Sequence, residues 1–284
     1  MTGISLSIRQ LLEADFDSAD TILNSAFGTA DSRLTDLGLY RQIEPEGLWL
    51  AEREAKPVGM VGAVNYGAFA YVGLMAVLET AQRQGIGLAL MKHLLDRLEK
   101  QGVPLVLLDA SHAGRPMYQK LGFMAYDSSH VFRCERVPTP ECPPQVRPMS
   151  MGDVAALAEW DRMIFGADRG RLLRALLAAY LGRAFMLRDE NGSIAGYVMT
   201  QANRIGPWVA RSAPGAEALL HAALSLRWRG AVSVAVPGLN DDASALLRRN
   251  RFEVVRTNTH MGKGASEPPS QRRKIFGQTS LFFG

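Results

Sequence analysis

The chain has 284 residues, of which 47% are hydrophobic and 21% are charged. This composition excludes a disordered chain and allows one or two domains with sizeable cores. The two cysteines exclude a disulfide framework, and no Cys/His cluster has the spacing of a zinc site. The formal net charge of +4 comes from dispersed Lys and Arg residues, which argues against a nucleic-acid partner.

Apolar periodicity predicts a mixed α/β first half. We expect helices near 11–26, 32–43 and 85–100, and strands at 48–53, 58–65, 69–77, 103–109 and 123–133. A turn at Lys56-Pro57 would join the first two of these strands. A further helix opens at Gly114-Arg115-Pro116 and ends at Gly122. A strand, a crossover helix and a parallel strand in succession imply a mixed sheet.

The segment from Met75 to Leu88 joins an apolar strand to an amphipathic helix through Gly85 and Gly87. Glycine lets the backbone approach a ligand closely, and the free N–H groups of a helix start attract an anion such as pyrophosphate. The alternative is a plain strand–loop–helix turn that uses glycine for packing. A dinucleotide site would need a third glycine where Leu88 follows, and a P-loop would need Gly-Lys-Ser/Thr.

This loop resembles the Gln/Arg-x-x-Gly-x-Gly/Ala signature of GNAT N-acetyltransferases. The resemblance implies that the loop binds the pyrophosphate of acetyl-CoA as co-substrate, with no metal. The implied binding residues are Gln82, Arg83, Gln84, Gly85, Ile86 and Gly87. It also implies that the preceding strand aligns with the pantetheine arm at Met75, Ala76 and Val77.

A second segment, Met117–Phe123, resembles the Tyr-x-x-x-Gly-Phe motif of the same family. By this resemblance Tyr118 is the general acid that protonates the departing thiolate. An alternative role for Tyr118 is a packed aromatic with its hydroxyl at the surface. The strand before the loop lacks the carboxylate that many relatives use as general base. Glu79, Asp109 and His112 are the nearest candidates, and a water chain could serve equally.

Four prolines between Val137 and Pro144 predict a linker at 137–144, between a catalytic domain at 1–136 and a second domain at 145–284. The halves resemble each other in order: Asp15 matches Asp153, and Phe27-Gly28 matches Phe165-Gly166. We therefore predict two GNAT-like domains, each a mixed, mostly antiparallel sheet flanked by helices. The chain as a whole resembles bacterial tandem proteins in which a divergent GNAT-like domain follows a GNAT domain.

The second half has lost both motifs. Its loop, Ala210–Glu217, has no register that supplies two glycines, and Pro214 removes a backbone donor. Leu247 stands where the first half has Tyr118. We predict a second domain that keeps the fold without catalysis. Asp168 and Arg169 are either an ion pair or acceptor ligands, and Arg272-Arg273-Lys274 is interpreted as a solvated basic loop.

The sequence supports two functions. The first is an N-acetyltransferase that moves an acetyl group from acetyl-CoA to a primary amine in a ternary complex, with a small-molecule amine as the expected acceptor. The second is a non-enzymatic acyl-CoA sensor or partner-binding module. No signal peptide follows Met1, and no apolar run approaches about 18 residues, so we expect a cytoplasmic protein without a membrane partner. A homodimer is compatible with the sequence.

Overall fold

Helices and strands alternate along the chain, and the predicted mixed α/β class is confirmed. The computed structural model describes residues 6–29 and 31–284. Contacts divide the chain into two units, residues 1–106 and 107–284. None of the described helices is long and apolar enough to cross a membrane.

The first unit is a four-stranded antiparallel sheet with three helices. Its elements are β1 (Leu6–Gln10), α1 (Phe16–Phe27), α2 (Leu34–Ile43), β2 (Leu48–Arg53), β3 (Lys56–Asn65), β4 (Ala70–Val77) and α3 (Ile86–Lys100). The strands lie in the order β1-β2-β3-β4. Helix α3 buries Ile86, Leu90, Met91, Leu94 and Leu98, a stripe rotated from the predicted face that included Leu88 and Leu95.

The turn between β2 and β3 lies at Glu54 and Ala55, so the predicted turn at Lys56-Pro57 is wrong. Both turn residues have positive φ, 51° and 59°, as a two-residue hairpin with the right-handed twist of its strands requires. Neither is the Gly or Asn that usually announces such a turn. Pro57 is instead the second residue of β3, beside a register shift in β2 where a missing N–H is tolerated.

The second unit contains two sheets and five helices. Its elements are β5 (Val106–Ala110, which starts at the unit boundary), α4 (Arg115–Lys120), β6 (Met124–Cys134), β7 (Val146–Pro148), α5 (Val154–Phe165), α6 (Gly170–Ala179), β8 (Ala184–Arg188), β9 (Ile194–Thr200), β10 (Ile205–Ala210), α7 (Ala213–Leu224), β11 (Val232–Pro237), α8 (Asp241–Arg249), β12 (Glu253–Lys263) and β13 (Ile275–Gly277). One sheet contains β5-β12-β6-β11 in that order, and the other is β13-β10-β9-β8-β7.

The last strands of the two sequence repeats are interleaved. Strand β6 closes the first repeat, yet it lies between β12 and β11 of the second repeat, antiparallel to both. Strand β12 in turn separates β5 from β6. The predicted linker lies at 137–144, but residues 107–136 belong by their contacts to the second unit, because β6 has both of its partners there.

The start of each repeat uses the same ion pair. Arg9 donates to both oxygens of Asp15 at 2.7 and 2.8 Å, and Arg147 makes the equivalent pair with Asp153. Each aspartate also accepts the N–H of the residue three positions earlier at 2.8 Å. The helix that follows ends in each repeat at a glycine of positive φ. These matched contacts support the duplication that the sequence predicts.

Arg169 forms a buried ion pair, but its partner is Asp161 and not the neighbouring Asp168. Its Nε and Nη2 donate to the two Asp161 oxygens at 2.7 and 2.9 Å. Both side chains are at most 1% exposed. The Tyr197 hydroxyl donates to Asp161 at 2.7 Å. Arg169 therefore holds the interior of the second unit together, and a role as acceptor ligand has no support from its position.

We expect Asp161→Ala to destabilise the protein by about 3–5 kcal/mol, because it leaves the Arg169 charge buried without its counter-ion. Denaturant unfolding followed by circular dichroism measures the change. Glu159→Ala is the matched control, since Glu159 pairs with Arg162 at 2.8 Å on the exposed face of the same helix and its loss should cost less than about 1 kcal/mol. Equal losses in the two variants would contradict the assigned role of the buried pair.

Candidate functional site

Strand β4 contains a β-bulge three residues before its end. Gly62 of β3 lies opposite Gly73 and Met60 opposite Ala76, so Leu74 and Met75 together face one residue of β3. Leu74 has a φ of 51°, which is unusual for a branched side chain. A bulge removes backbone groups from the sheet ladder and often lies beside a binding site. Met75, Ala76 and Val77 follow the irregular step directly.

The loop after β4 ends at an uncapped helix. Glu79–Ala81 form one short 3-10 turn, and Gly85 precedes α3 with a φ of 82°. No side chain caps α3, and a Cβ placed on Gly85 would meet no atom within 4 Å. The first N–H groups of a helix have no partner within the helix. The N–H groups of Ile86 and Gly87 are among these. The partial positive charge at this end of the helix is therefore open to an anion.

The glutamine side chains of the loop hold its backbone. Gln82 Nε2 donates to the Val77 carbonyl at 3.1 Å, and Gln84 Nε2 donates to the Thr80 carbonyl at 3.2 Å. Gln84 Oε1 accepts a hydrogen bond from Arg53 at the end of β2. Gln82, Arg83, Gln84 and Gly85 are exposed. Two of the predicted binding residues are buried instead: Ile86 is 1% exposed and anchors the helix in the core, and Ala76 of the preceding strand is 4% exposed.

Tyr118 lies in the second unit, on the short helix α4. Its ring contacts the edge of Phe123, with 5.8 Å between ring centroids, and Phe123 N donates to the Tyr118 carbonyl at 3.0 Å. The Tyr118 hydroxyl has no hydrogen-bond partner among the described residues. The side chain is 7% exposed, and burial raises the pKa of the phenol. This hydroxyl is protonated at neutral pH and has a free donor.

The three carboxylate and histidine candidates for a general base differ in exposure. Glu79 and His112 are exposed. The Asp109 carboxylate is buried, accepts hydrogen bonds from Ser129 and Gln278 at 2.7 and 3.0 Å, and lies 3.2 Å from His260 Nδ1. Burial lowers the pKa of His260. The Asp109 carboxylate is therefore part of a buried polar network.

Arg272 belongs to the same network, so the interpretation of residues 272–274 as a solvated loop is wrong at this residue. Its Nε donates to Asp127 at 2.7 Å, and its Nη2 donates to Ser129 Oγ at 3.1 Å. The residue is 5% exposed. Its buried carboxylate partner lies 145 residues earlier in the chain, and no local sequence pattern connects the two.

In the second repeat the equivalent helix, α7, begins with a side-chain cap. Ser212 Oγ accepts the Gly215 N–H at 3.3 Å and caps α7, and Pro214 lies in the first turn. Leu247, at the position of Tyr118, is fully buried. The repeats therefore differ at both motifs in structure as well as in sequence.

A segment from the C-terminal end of the chain covers the strand that precedes α7. Strand β13 pairs with β10, with Gly277 opposite Trp208, and Gln278 N donates to the Ala235 carbonyl of β11 at 2.7 Å. Strands β10 and β11 meet at the Arg204–Ser233 bridge, and β13 lies between them further along. Strand β9 pairs with the other edge of β10.

Among the described residues, no three His, Cys, Asp or Glu residues lie close enough together to hold a metal ion. The first unit presents an open helix start behind a bulged strand, which suits a pyrophosphate and the extended arm of a thioester carrier. The second unit presents a protonated phenol with a free donor. Each unit by itself therefore has a group that acyl transfer from a phosphate-bearing thioester can use.

Comparisons with known proteins agree with this chemistry. The family model described as "Acetyltransferase (GNAT) family" matches residues 7–123, and that described as "Acetyltransferase (GNAT) domain" matches residues 157–277. No curated protein matches the chain. A Pyrococcus horikoshii protein classed as an acetyltransferase is 26% identical, with a TM-score of 0.88 over 98% of this chain and 96% of its own.

Two more distant structures share the fold. A GCN5-related N-acetyltransferase from Sphaerobacter thermophilus is 16% identical, with a TM-score of 0.70 over 93% of this chain and 98% of its own. A tandem GNAT protein from the clavulanic acid biosynthesis pathway is also 16% identical, with a TM-score of 0.61 over 93% of this chain and 100% of its own.

Proposed function

Because the chain belongs to the GNAT acetyltransferase family, with two GNAT domains in tandem, we propose that it transfers the acetyl group of acetyl-CoA to a primary amine. The observation that carries the proposal is the uncapped start of α3 behind the bulged strand β4. The left-handed Gly85 turns the backbone there without placing a Cβ against a ligand. The open N–H groups suit the pyrophosphate, and the backbone at Met75, Ala76 and Val77 suits the pantetheine arm.

The proposed reaction is direct attack in a ternary complex. The nitrogen of a neutral amine bonds to the thioester carbon, the carbon–sulfur bond breaks, and Tyr118 gives its proton to the departing thiolate. The nitrogen then loses a proton as the amide forms, and this proton returns through water to restore the Tyr118 phenol. A phenol with a raised pKa is a weak acid, so part of its effect is a hydrogen bond that stabilises the charge growing on sulfur. The chain supplies the rest by holding the two substrates in line.

A screen of amine acceptors with acetyl-CoA, followed by release of the free thiol, tests this function. We expect thiol release to depend on a primary amine and to require the full chain. Tight CoA binding without turnover on any amine class would favour an acyl-CoA sensor and reject the transferase. Absence of CoA binding would reject both.

We further propose that only the first repeat binds acetyl-CoA. In the second repeat the Ser212 side chain caps α7 and Pro214 lies in its first turn, so fewer backbone N–H groups are free for a pyrophosphate there. Isothermal titration with CoA should give one site per chain. A stoichiometry near two would contradict the assignment of the second repeat as non-catalytic.

A further inference from the structure

Arg53 is the last residue of β2, and no carboxylate in the part of the chain that the structure describes forms an ion pair with its guanidinium. Its Nη1 donates to Gln84 Oε1, and among the described residues this is its only hydrogen bond. Its Nε is buried without an acceptor in the same part of the chain. A buried donor that lacks a protein acceptor is costly unless water or a ligand satisfies it. The neighbouring charged residue differs, because the Glu52 carboxylate forms an ion pair with Arg9 at 2.8 Å.

The guanidinium lies beside the glycine loop. Gln84 is two residues before Ile86, where α3 begins, and its amide joins Arg53 to the Thr80 carbonyl. The hairpin and the loop contain two more cations. Lys56 is opposite Arg53 in the hairpin, and Arg83 is part of the loop. Both are exposed. The hairpin and the loop thus bring cations as well as the exposed carboxylates Glu54 and Glu79, and of the cations Arg53 is the one linked to the loop by a hydrogen bond.

We propose that Arg53 contacts a phosphate group of the acyl-CoA nucleotide and contributes to the affinity for CoA. The proposal rests on the proposed function of the loop. A guanidinium matches a phosphate with two parallel hydrogen bonds, and Nε together with Nη2 supplies such a pair while Nη1 stays bonded to Gln84. The phosphate is either one of the pyrophosphate groups or the 3′-phosphate, and the two share this chemistry.

The test is isothermal titration of the full-length protein with CoA. We expect Arg53→Gln to weaken binding about 10- to 100-fold, the usual effect of losing a hydrogen bond to a charged group. Arg53→Lys keeps the charge and should recover part of the loss. Lys100→Gln is the control, because it removes the same charge from the exposed C-terminal end of α3, roughly 20 Å from Ile86 along the helix. Its affinity should be unchanged.

A second variant separates phosphate binding from support of the loop. Gln84→Ala removes the one hydrogen-bond partner that Arg53 has among residues 6–29 and 31–284. If Arg53 merely holds Gln84 in place, this variant loses as much affinity as Arg53→Gln, and the double variant loses no more. That result would overturn the proposal. We expect Arg53→Gln to weaken binding further when it is introduced into the Gln84→Ala variant.

Titration with 3′-dephospho-CoA identifies the phosphate. If Arg53→Gln weakens CoA but not 3′-dephospho-CoA, the contact is with the 3′-phosphate, and equal weakening assigns it to the pyrophosphate. Wild-type protein that binds CoA alongside an equally tight Arg53→Gln variant would overturn this inference alone. Wild-type protein that binds no CoA would reject the proposed function itself. Thermal melting of each variant checks that it is folded.

Discussion

Gly87→Glu is expected to weaken CoA binding by more than a hundredfold while leaving the fold intact. A carboxylate about 5 Å from a phosphate charge costs about 3 kcal/mol at an effective dielectric constant near 20, which corresponds to more than two decades in Kd. The same residue should not harm the helix. Gly87 is the second residue of α3, where an acidic side chain interacts favourably with the helix dipole and where replacing glycine raises helix propensity.

The expected signature is therefore a loss of binding in isothermal titration with an unchanged or higher melting temperature. Gly87→Gln has the same side-chain length without the charge, so it measures the steric part alone and should lose far less affinity. Normal CoA binding by Gly87→Glu would show that the start of α3 is not the phosphate site.

Tyr118→Phe should lower kcat at least tenfold and leave the Kd for acetyl-CoA nearly unchanged. A hydrogen bond to a charged group contributes about 1.5–3 kcal/mol, and this one forms only as negative charge develops on the sulfur. Since burial raises the pKa of Tyr118, the phenol stays protonated through neutral and mildly alkaline pH. The raised pKa favours the neutral form, so loss of the Tyr118 proton should not limit activity in that range.

Steady-state kinetics with a fixed amine, together with CoA titration, measures both quantities. Phenylalanine keeps the edge contact with Phe123, so the variant should fold normally. Tyr126→Phe is a control in the same unit, because the Tyr126 hydroxyl hydrogen-bonds to the Ala265 carbonyl and has no assigned role in the reaction. Full turnover by Tyr118→Phe would remove the phenol from the mechanism.

Local patterns were sufficient to predict most elements and the loop of the first unit. Strand β2 has the predicted bounds Leu48–Arg53, and α3 starts one residue from the predicted position. Each follows directly on a glycine, Gly47 and Gly85 respectively. The hairpin turn at Glu54 and Ala55 could not be found in this way, since neither residue type usually adopts positive φ. The bulge at Leu74 has no sequence signal for the same reason.

Features that depend on distant residues were beyond prediction from one sequence. Arg53 approaches Gln84 through the packing of α3 over the sheet, and no spacing between the two residues encodes that contact. The burial of Arg272 depends on Asp127, far away in the chain. The pairing of β6 with β11 and β12 is equally invisible, because strand periodicity reports which face is buried and not which strand is the neighbour.

The interleaving of β6 has a consequence for synthesis on the ribosome. Strand β6 ends at Cys134, and β11 begins at Val232, so its partners emerge roughly 5–20 s later at about 5–20 residues per second. During that interval a nascent strand has two unpaired edges, a known cause of aggregation. The middle of β6 is polar, with Asp127, Ser128, Ser129 and His130 in succession, which suits a strand that must remain soluble while it waits for its neighbours.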